Sequence, residues 1–373
     1  MPSGSPQPTA PPGRKSMTLW SVAALGIGSM VGAGIFALLG QAALMAGQDV
    51  YLSFLIGGIV ALLSGHTYGK LAARYPGPGG IFDYFDKGFP SKLVSGALSI
   101  LYLIALVITI AMIAKTFGAY ASRLLVGEEH LGSSAEAFAC GIVILFVVVN
   151  MVGAAAVGRA EVGLVAIKLT ILMVLMLAGL PGIKPDLLVS GPTVGLSTLL
   201  ASVGLTFFAY AGYGMMANAA NDVPHPAVTI PRAILVAIGT VILLYVGLSL
   251  VVMGNIPMDE LKRHATTAVA QAARPVLGHA GFVVVSIGAL LATASAINAT
   301  LYSAINITEA LAADRQLPAM FGHRIWGRGT TGLLAATGAI LVMVVWFDLG
   351  AIASAAGSVF LIAYIAVFIA HWR

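Results

Sequence analysis

The sequence predicts an all-α membrane protein with about ten transmembrane helices, and composition, hydropathy and glycine placement each support this fold class. Hydrophobic residues make up 59% of the 373 residues, whereas charged residues make up only 9%. The mean hydropathy of +0.98 is far above that of water-soluble domains. Glycines also cluster inside two of the apolar runs, where they are poor helix formers.

Apolar runs long enough to cross a bilayer, which takes about 20 residues, follow one another along the chain. They lie at about 18–46, 50–72, 93–124, 136–156, 161–181, 196–220, 233–254, 281–311, 331–347 and 351–370. Lys and Arg lie mostly at the run ends that fall on the same side of the membrane as the N-terminus. Both termini are therefore expected in the cytoplasm. Residues 1–16, rich in Pro, Ser and Gly, are expected to form a disordered cytoplasmic tail, and 17–373 a single transmembrane domain.

Charge and motif content argue against several other classes of protein. The net charge is +5, but the basic residues are scattered among helix ends, which does not favour a nucleic-acid interface. Cys140 is the single cysteine, so an intrachain disulfide is excluded. No motif of a hydrolase, a nucleotide-binding loop or a metal site is present. The sequence therefore predicts neither an enzyme, nor a cofactor, nor a bound metal.

Glycines interrupt the first apolar run at Gly26, Gly28, Gly32 and Gly34, and the sixth run is interrupted over 206–214. One interpretation is close helix packing, since Gly28 and Gly32 have GxxxG spacing. The other is a pair of broken helices, because unwound backbone persists in lipid only where it lines a cavity or meets a ligand. Each cluster begins a set of five runs. This placement favours two inverted five-helix repeats, with the first and sixth helices discontinuous.

The two repeats would cover about 18–181 and about 196–370. Segments in order along the chain resemble motifs of the amino acid, polyamine and organocation transporter superfamily, and they lie at 26–36, 68–82, 207–232 and 312–318. Two features depart from the family pattern. Asn221 and Asp222 stand where many members carry a pair of glutamates, and the chain has fewer runs than most members.

This resemblance implies the LeuT-like bundle of five plus five helices and a secondary active transporter of amino acids or related amines in the cell membrane. Transport would proceed by alternating access around a site at the membrane midplane. In the family, main-chain groups of the broken helices hold the substrate. Its carboxylate would meet the amides of Gly32, Ala33 and Gly34, and its ammonium the carbonyls near Met30 and of Ala209 or Ala211.

Aromatic and hydroxyl side chains near these helices have two interpretations each. Phe208 and Tyr213 match family positions that cover or gate the substrate, although aromatic residues on apolar helices often only pack. Thr293 and Ser295 could supply oxygen ligands to a sodium ion, but such hydroxyls usually bond to their own helix backbone. The resemblance thus leaves a sodium-coupled symporter as an alternative.

Lys168 is the most informative charge, because it falls about seven residues into the fifth run, roughly 10 Å from its start. One interpretation is that it reaches the interface or pairs with Glu161. In proton-coupled and exchanging members of the family, a lysine here takes the place of a cation. A desolvated ammonium can release its proton, so protons or exchange are favoured over sodium.

The other intramembrane polar residues are expected to have structural roles. His66 is predicted to be buried and hydrogen-bonded, and Lys115 to reach the outer interface. Asn298, Asn306 and Glu309 are predicted to join helices. A passive channel is the rival class, but channels commonly use repeated subunits, whereas this chain has two different interrupted runs.

Overall fold

A computed structural model describes residues 17–75, 80–127, 131–152, 157–189, 194–326 and 329–372. The tail predicted at 1–16 lies outside the described residues. The described chain is almost entirely helical, with helices α1 (Leu19–Ala46), α2 (Val50–Arg74), α3 (Ile81–Gly88), α4 (Lys92–Leu125), α5 (Leu131–Val152), α6 (Val157–Gly179), α7 (Pro185–Val189), α8 (Leu196–Tyr210), α9 (Pro226–Asn255), α10 (Met258–Arg263), α11 (Ala268–Ala313), α12 (Thr331–Trp346) and α13 (Leu349–Trp372). The strands β1 (Arg324–Trp326) and β2 (Gly329–Thr330) pair antiparallel.

Each predicted apolar run coincides with a long helix, and most ends agree within a few residues. Eight segments of the described chain are long and apolar enough to cross a membrane, and one of them, Gly34–Arg74, includes the end of α1 and all of α2. Shorter apolar helices at Leu19–Gly32 and Thr331–Trp346 supply the start of α1 and all of α12. The chain is therefore a multi-pass, all-α membrane protein.

The helix starts follow ordinary capping chemistry where polar residues are available. The Thr18 hydroxyl accepts the Ser21 amide at 3.2 Å and so caps α1. Thr330 caps α12 in the same way through the Leu333 amide at 3.2 Å. Gly278, at φ +69°, breaks the helical geometry within α11, and its conformation is one that residues with a side chain rarely adopt. Most of α11 beyond Gly278 then forms the eighth apolar run.

The predicted break in the first helix is not present in this structure. α1 stays α-helical through Gly32 and Gly34. The energies explain this result, because a glycine costs a helix only about 1 kcal/mol, whereas each unpaired backbone group in lipid costs several. The continuous helix keeps these backbone groups paired and is therefore the more stable form.

The glycines of α1 instead allow neighbouring elements to pack closely against it. A Cβ atom at Gly26 would overlap Met216, and one at Gly28 would overlap Val165 of α6. A Cβ at Gly32 would lie 3.0 Å from Cβ of Ala296 on α11. Packing, the alternative interpretation of this motif, is therefore what these contacts support.

The sixth run does change its geometry partway along. α8 ends at Tyr210, and the chain continues as a 3-10 helix from Ala211 to Asp222, here called the 3-10 segment. Runs of 3-10 helix longer than three or four residues are uncommon and often mark a hinge or strain. The 3-10 segment has twelve residues, so its geometry is exceptional.

The two halves of the chain pack in corresponding ways. If α1, α2, α4, α5 and α6 are matched in order with α8, α9, α11, α12 and α13, several equivalent pairs of helices pack on each other in both halves. α1 packs on α9 as α8 packs on α2, and α6 packs on α11 as α13 packs on α4. Likewise, α6 contacts α1 as α13 contacts α8. The buried core lies where α1, α2, α8 and α9 meet.

Candidate functional site

The starting helices of the two halves meet at a close backbone contact. A Cβ atom at Gly212 in the 3-10 segment would lie 2.7 Å from Ser29 Oγ and 2.8 Å from the Met30 amide nitrogen. A Cβ at Gly34 would lie 2.6 Å from the carbonyl oxygen of Ala209. Each glycine therefore permits one backbone to approach the other, which is a use of glycine that side-chain-bearing residues cannot replace.

Tyr245 of α9 lies at the centre of this contact. Its hydroxyl donates to the carbonyl oxygen of Met30 at 2.7 Å and lies 3.5 Å from the carbonyl oxygen of Ala209. A phenol has one proton, so the shorter contact is the main hydrogen bond. Two of the carbonyls predicted to hold an ammonium thus face the same polar atom.

A second tyrosine forms a hydrogen bond to the third carbonyl that was predicted to hold the ammonium. The hydroxyl of Tyr364 on α13 donates to the carbonyl oxygen of Ala211 at 2.6 Å. The sequence analysis missed both Tyr245 and Tyr364. The sequence did contain an indication of their role, because a buried tyrosine in an apolar run needs a hydrogen-bond partner for its hydroxyl.

Aromatic side chains form a layer beside this contact, toward the side where α1 begins. The rings of Tyr213 and Tyr364 have centroids 5.3 Å apart, and those of Tyr68 and Tyr213 are 5.9 Å apart. The Tyr213 hydroxyl donates to Ser64 Oγ at 2.7 Å. Phe208 packs on Phe360 with centroids 4.9 Å apart. Phe208 and Tyr213 are therefore buried within an aromatic cluster, in positions that fit either packing or gating.

Lys168 of α6 is buried, with only 1% of its surface exposed. Its Nζ donates to the carbonyl oxygen of Gly28 on α1 at 2.6 Å. The alternative interpretation, that Lys168 reaches the interface, is therefore wrong, because the side chain extends into the bundle. The side chain of Glu161, its suggested partner, lies outside the described residues.

The ammonium of Lys168 lies where α1, α6 and α11 meet. A Cβ atom at Gly32 would be 3.8 Å from Lys168 Nζ and 3.5 Å from the carbonyl oxygen of Ala292 on α11. Thr293 Oγ1 donates to the carbonyl of Ala289 at 2.7 Å, within its own helix. Ser295 is also buried and hydrogen-bonded or otherwise paired. The hydroxyl of Thr293 is thus committed to backbone, as the alternative interpretation expected.

The structure brings four of the predicted substrate-binding residues together. Met30, Gly34, Ala209 and Ala211 share the contact around Tyr245 and Tyr364. Gly32 faces away from that contact, toward α11 and Lys168. The side chain of Ala33 lies outside the described residues, although its backbone belongs to α1.

The other polar residues had mixed outcomes. Asn150 of α5 donates to Asn298 Oδ1 on α11 at 2.9 Å, so Asn298 does join helices. Lys115 is half-buried and donates to the carbonyl of Val344 at 2.7 Å, one of the last carbonyls of α12. His66 is exposed on the outer face of α2, which contradicts the predicted burial.

Replacing Tyr245 by phenylalanine should destabilise the folded protein by about 1 kcal/mol, since one hydrogen bond between α9 and α1 is lost. Met30 keeps its intrahelical bond, so no carbonyl is stranded. Thermal unfolding of the purified protein in detergent measures the effect. Tyr51→Phe is the matched control, because the Tyr51 hydroxyl makes no hydrogen bond to the described residues. Equal melting temperatures for the two variants would contradict the assigned bond.

Comparison with known proteins identifies the family. The profile of the amino acid permease family matches residues 17–373. The chain belongs to the amino acid permease family. This permease is 47% identical over 366 residues to the inner membrane transport protein YbaT of Escherichia coli, which covers 97% of this chain and 84% of the relative.

More distant relatives are also named as transporters. The methylthioribose transporter of Bacillus subtilis is 26% identical over 321 residues, covering 82% of the permease and 69% of the relative. The chloroplastic cationic amino acid transporter 9 of Arabidopsis thaliana is 26% identical over 329 residues, covering 83% and 57%. The permease is therefore a membrane transporter of small molecules and not an enzyme.

Proposed function

We propose that the permease is a secondary active carrier of amino acids or related amines in the cell membrane, with its N-terminus in the cytoplasm. Relatives named for cationic amino acids and for methylthioribose support a small polar substrate. The Escherichia coli relative, named as an inner membrane protein, supports the location. The excess of Lys and Arg on the side of the membrane that holds the N-terminus supports the orientation.

The observation that carries this proposal is the meeting of the Met30 and Ala209 carbonyls at one hydroxyl, that of Tyr245. The carbonyl of Ala211 lies on the same segment and accepts from Tyr364. A substrate ammonium has three donors and carries a positive charge. It can replace these tyrosine protons and form stronger, charge-assisted hydrogen bonds to the carbonyls.

The substrate carboxylate would bind the amides of Gly32, Ala33 and Gly34. These amides are engaged within α1, so binding requires α1 to open there. Two glycines make that opening inexpensive, since each lowers helix stability by about 1 kcal/mol relative to alanine. The carboxylate would then satisfy the freed amides in place of the helical carbonyls. Phe208 and Tyr213 would cover the occupied site.

Coupling would depend on Lys168, whose ammonium lies between α1, α6 and α11. Release of its proton would weaken its bond to Gly28 and so link protonation to the arrangement of α1. Proton coupling or exchange is therefore the proposed mode. A sodium ion held by Thr293 and Ser295 is the alternative, because Thr293 donates its proton to Ala289 and keeps its oxygen lone pairs for a cation.

The corresponding packing of the two halves supports alternating access by inverted repeats, about 18–181 and about 196–370. In such carriers, one set of helices rocks against the other around a fixed site. The long 3-10 segment supplies a natural hinge beside that site.

The test is uptake of radiolabelled amino acids and polyamines into proteoliposomes. A carrier should show saturable uptake that is accelerated when unlabelled substrate is preloaded inside the vesicles. Uptake that rises linearly with concentration and ignores preloading would indicate a channel. Uptake driven by a sodium gradient but not by a pH gradient would favour the sodium alternative.

A further inference from the structure

The outer face of α2 carries a pattern that transport does not explain. The first part of this face is apolar and exposed, and 38%, 48% and 67% of the surface is accessible for Leu55, Ile59 and Leu63. Toward the end of the helix the same face carries exposed His66, Lys70 and Arg74, which we call the basic stripe.

These residues follow one another at spacings of three or four, so they lie on one side of the helix. The middle of α2 lies near residue 62. From there the helix rises by about 12 Å to Lys70 and by about 18 Å to Arg74. Half of a hydrocarbon core that is about 30 Å thick is about 15 Å, so Lys70 and Arg74 lie near the level of the headgroups on the side where α2 ends.

Further basic groups from neighbouring helices extend the basic stripe. His371 at the end of α13 lies within electrostatic reach of Lys70, Arg74 and His66. Its Nδ1 atom is buried and has no hydrogen-bond partner among the described residues. Lys87 of α3 lies 4.7 Å from the centre of the Tyr75 ring, and the Arg74 guanidinium lies 5.3 Å from the same ring.

Nearby acidic groups do not neutralise this surface in the described chain. Asp86 of α3 forms an ion pair with Lys92 at 2.5 Å. His66, Lys70 and Arg74 form no ion pair with a described residue, so the basic stripe presents positive charge at the end of α2, beside its exposed apolar face.

We propose that this surface binds an anionic phospholipid of the leaflet on the N-terminal side. The phosphate would lie among Lys70, Arg74 and His371, and an acyl chain would follow Leu63 and Ile59. Charge complementarity and the depth of the basic groups in the membrane select this occupant, since a zwitterionic lipid would bring its own cation into a basic site. Basic clusters at the cytoplasmic ends of helices are suited to such headgroups.

Trp372, next to His371 and 77% exposed, provides a reporter for the experiment. Trp20, Trp326 and Trp346 are replaced by phenylalanine, so that only Trp372 fluoresces. The protein is reconstituted into phosphatidylcholine vesicles in which a fixed fraction of lipid is brominated phosphatidylglycerol. A parallel series uses brominated phosphatidylcholine. We expect the anionic lipid to quench Trp372 more strongly at equal bulk fraction.

The double variant K70Q/R74Q should lose this preference by roughly 10- to 30-fold, given the usual contribution of each basic side chain near an anionic surface. K262Q/R263Q is the matched control, because it removes one exposed Lys and one exposed Arg from α10, in the loop on the other side of the bundle. The control should keep the preference.

Equal quenching by both brominated lipids would overturn the proposal, as would an equal loss in both double variants. A second measurement needs no change to the basic stripe. Raising the salt concentration from 50 to 500 mM should reduce the preference for phosphatidylglycerol, since charges near the surface are screened. A preference that is unaffected by salt would also overturn it.

Discussion

Replacing Lys168 by methionine should make uptake by the permease independent of pH while substrate binding is retained. Methionine keeps an unbranched side chain of similar length but removes the proton and the bond to the Gly28 carbonyl. In the unaltered protein, release of the Lys168 proton would make the initial rate of uptake depend on pH. We expect a pH-dependent rate there and a flat profile in the variant.

The measurement is initial uptake into proteoliposomes between pH 5.5 and 8, with binding followed by thermal shift in the same buffers. Lys115→Met is the matched control, because Lys115 also donates to a main-chain carbonyl, that of Val344 at 2.7 Å. The control should keep the pH response. If Lys168→Met responded to pH as the unaltered protein does, the coupling role would be rejected.

Replacing Gly34 by alanine should destabilise the fold by about 1 to 3 kcal/mol, as overpacking of a dense interior does. The added Cβ atom would overlap the Tyr245 hydroxyl and lie 2.6 Å from the Ala209 carbonyl oxygen. Backbone cannot move aside as a flexible side chain can. Uptake should fall as well, because Met30 and Ala209 would be forced apart.

Gly141→Ala on α5 gives the matched control, since nothing lies within 4 Å of the position its Cβ would take. That change should be neutral or stabilise by up to about 1 kcal/mol through helix propensity. Thermal unfolding in detergent compares the two variants. The packing role of Gly34 would be ruled out by a Gly34→Ala protein as stable as the Gly141→Ala protein.

The positions of the helices could be predicted from the sequence because spans are set by the length of apolar runs. The state of α1 could not. Gly26, Gly28, Gly32 and Gly34 are compatible with a break or with close packing, and only the positions of Met216, Val165, Ala296 and Tyr245 distinguish the two. Composition within one helix does not reveal what lies opposite it.

The candidate site was predictable where family motifs gave backbone positions, as at Met30 and Ala209. Tyr245 and Tyr364 come from helices far along the chain, so their contacts depend on tertiary packing. His66 was misplaced for a related reason. An apolar run entirely buried or facing lipid has little amphipathic pattern, so the sequence does not indicate which side of α2 faces the bundle.

The winding of the chain between Ala211 and Asp222 has a mechanical consequence. Twelve residues advance by about 24 Å at the 3-10 rise but by only about 18 Å at the α-helical rise. Rewinding half of them would shorten the connection by about 3 Å and draw the start of α9 inward. Because Tyr245 belongs to α9, this shift would move its hydroxyl along the helix axis and away from the Met30 carbonyl.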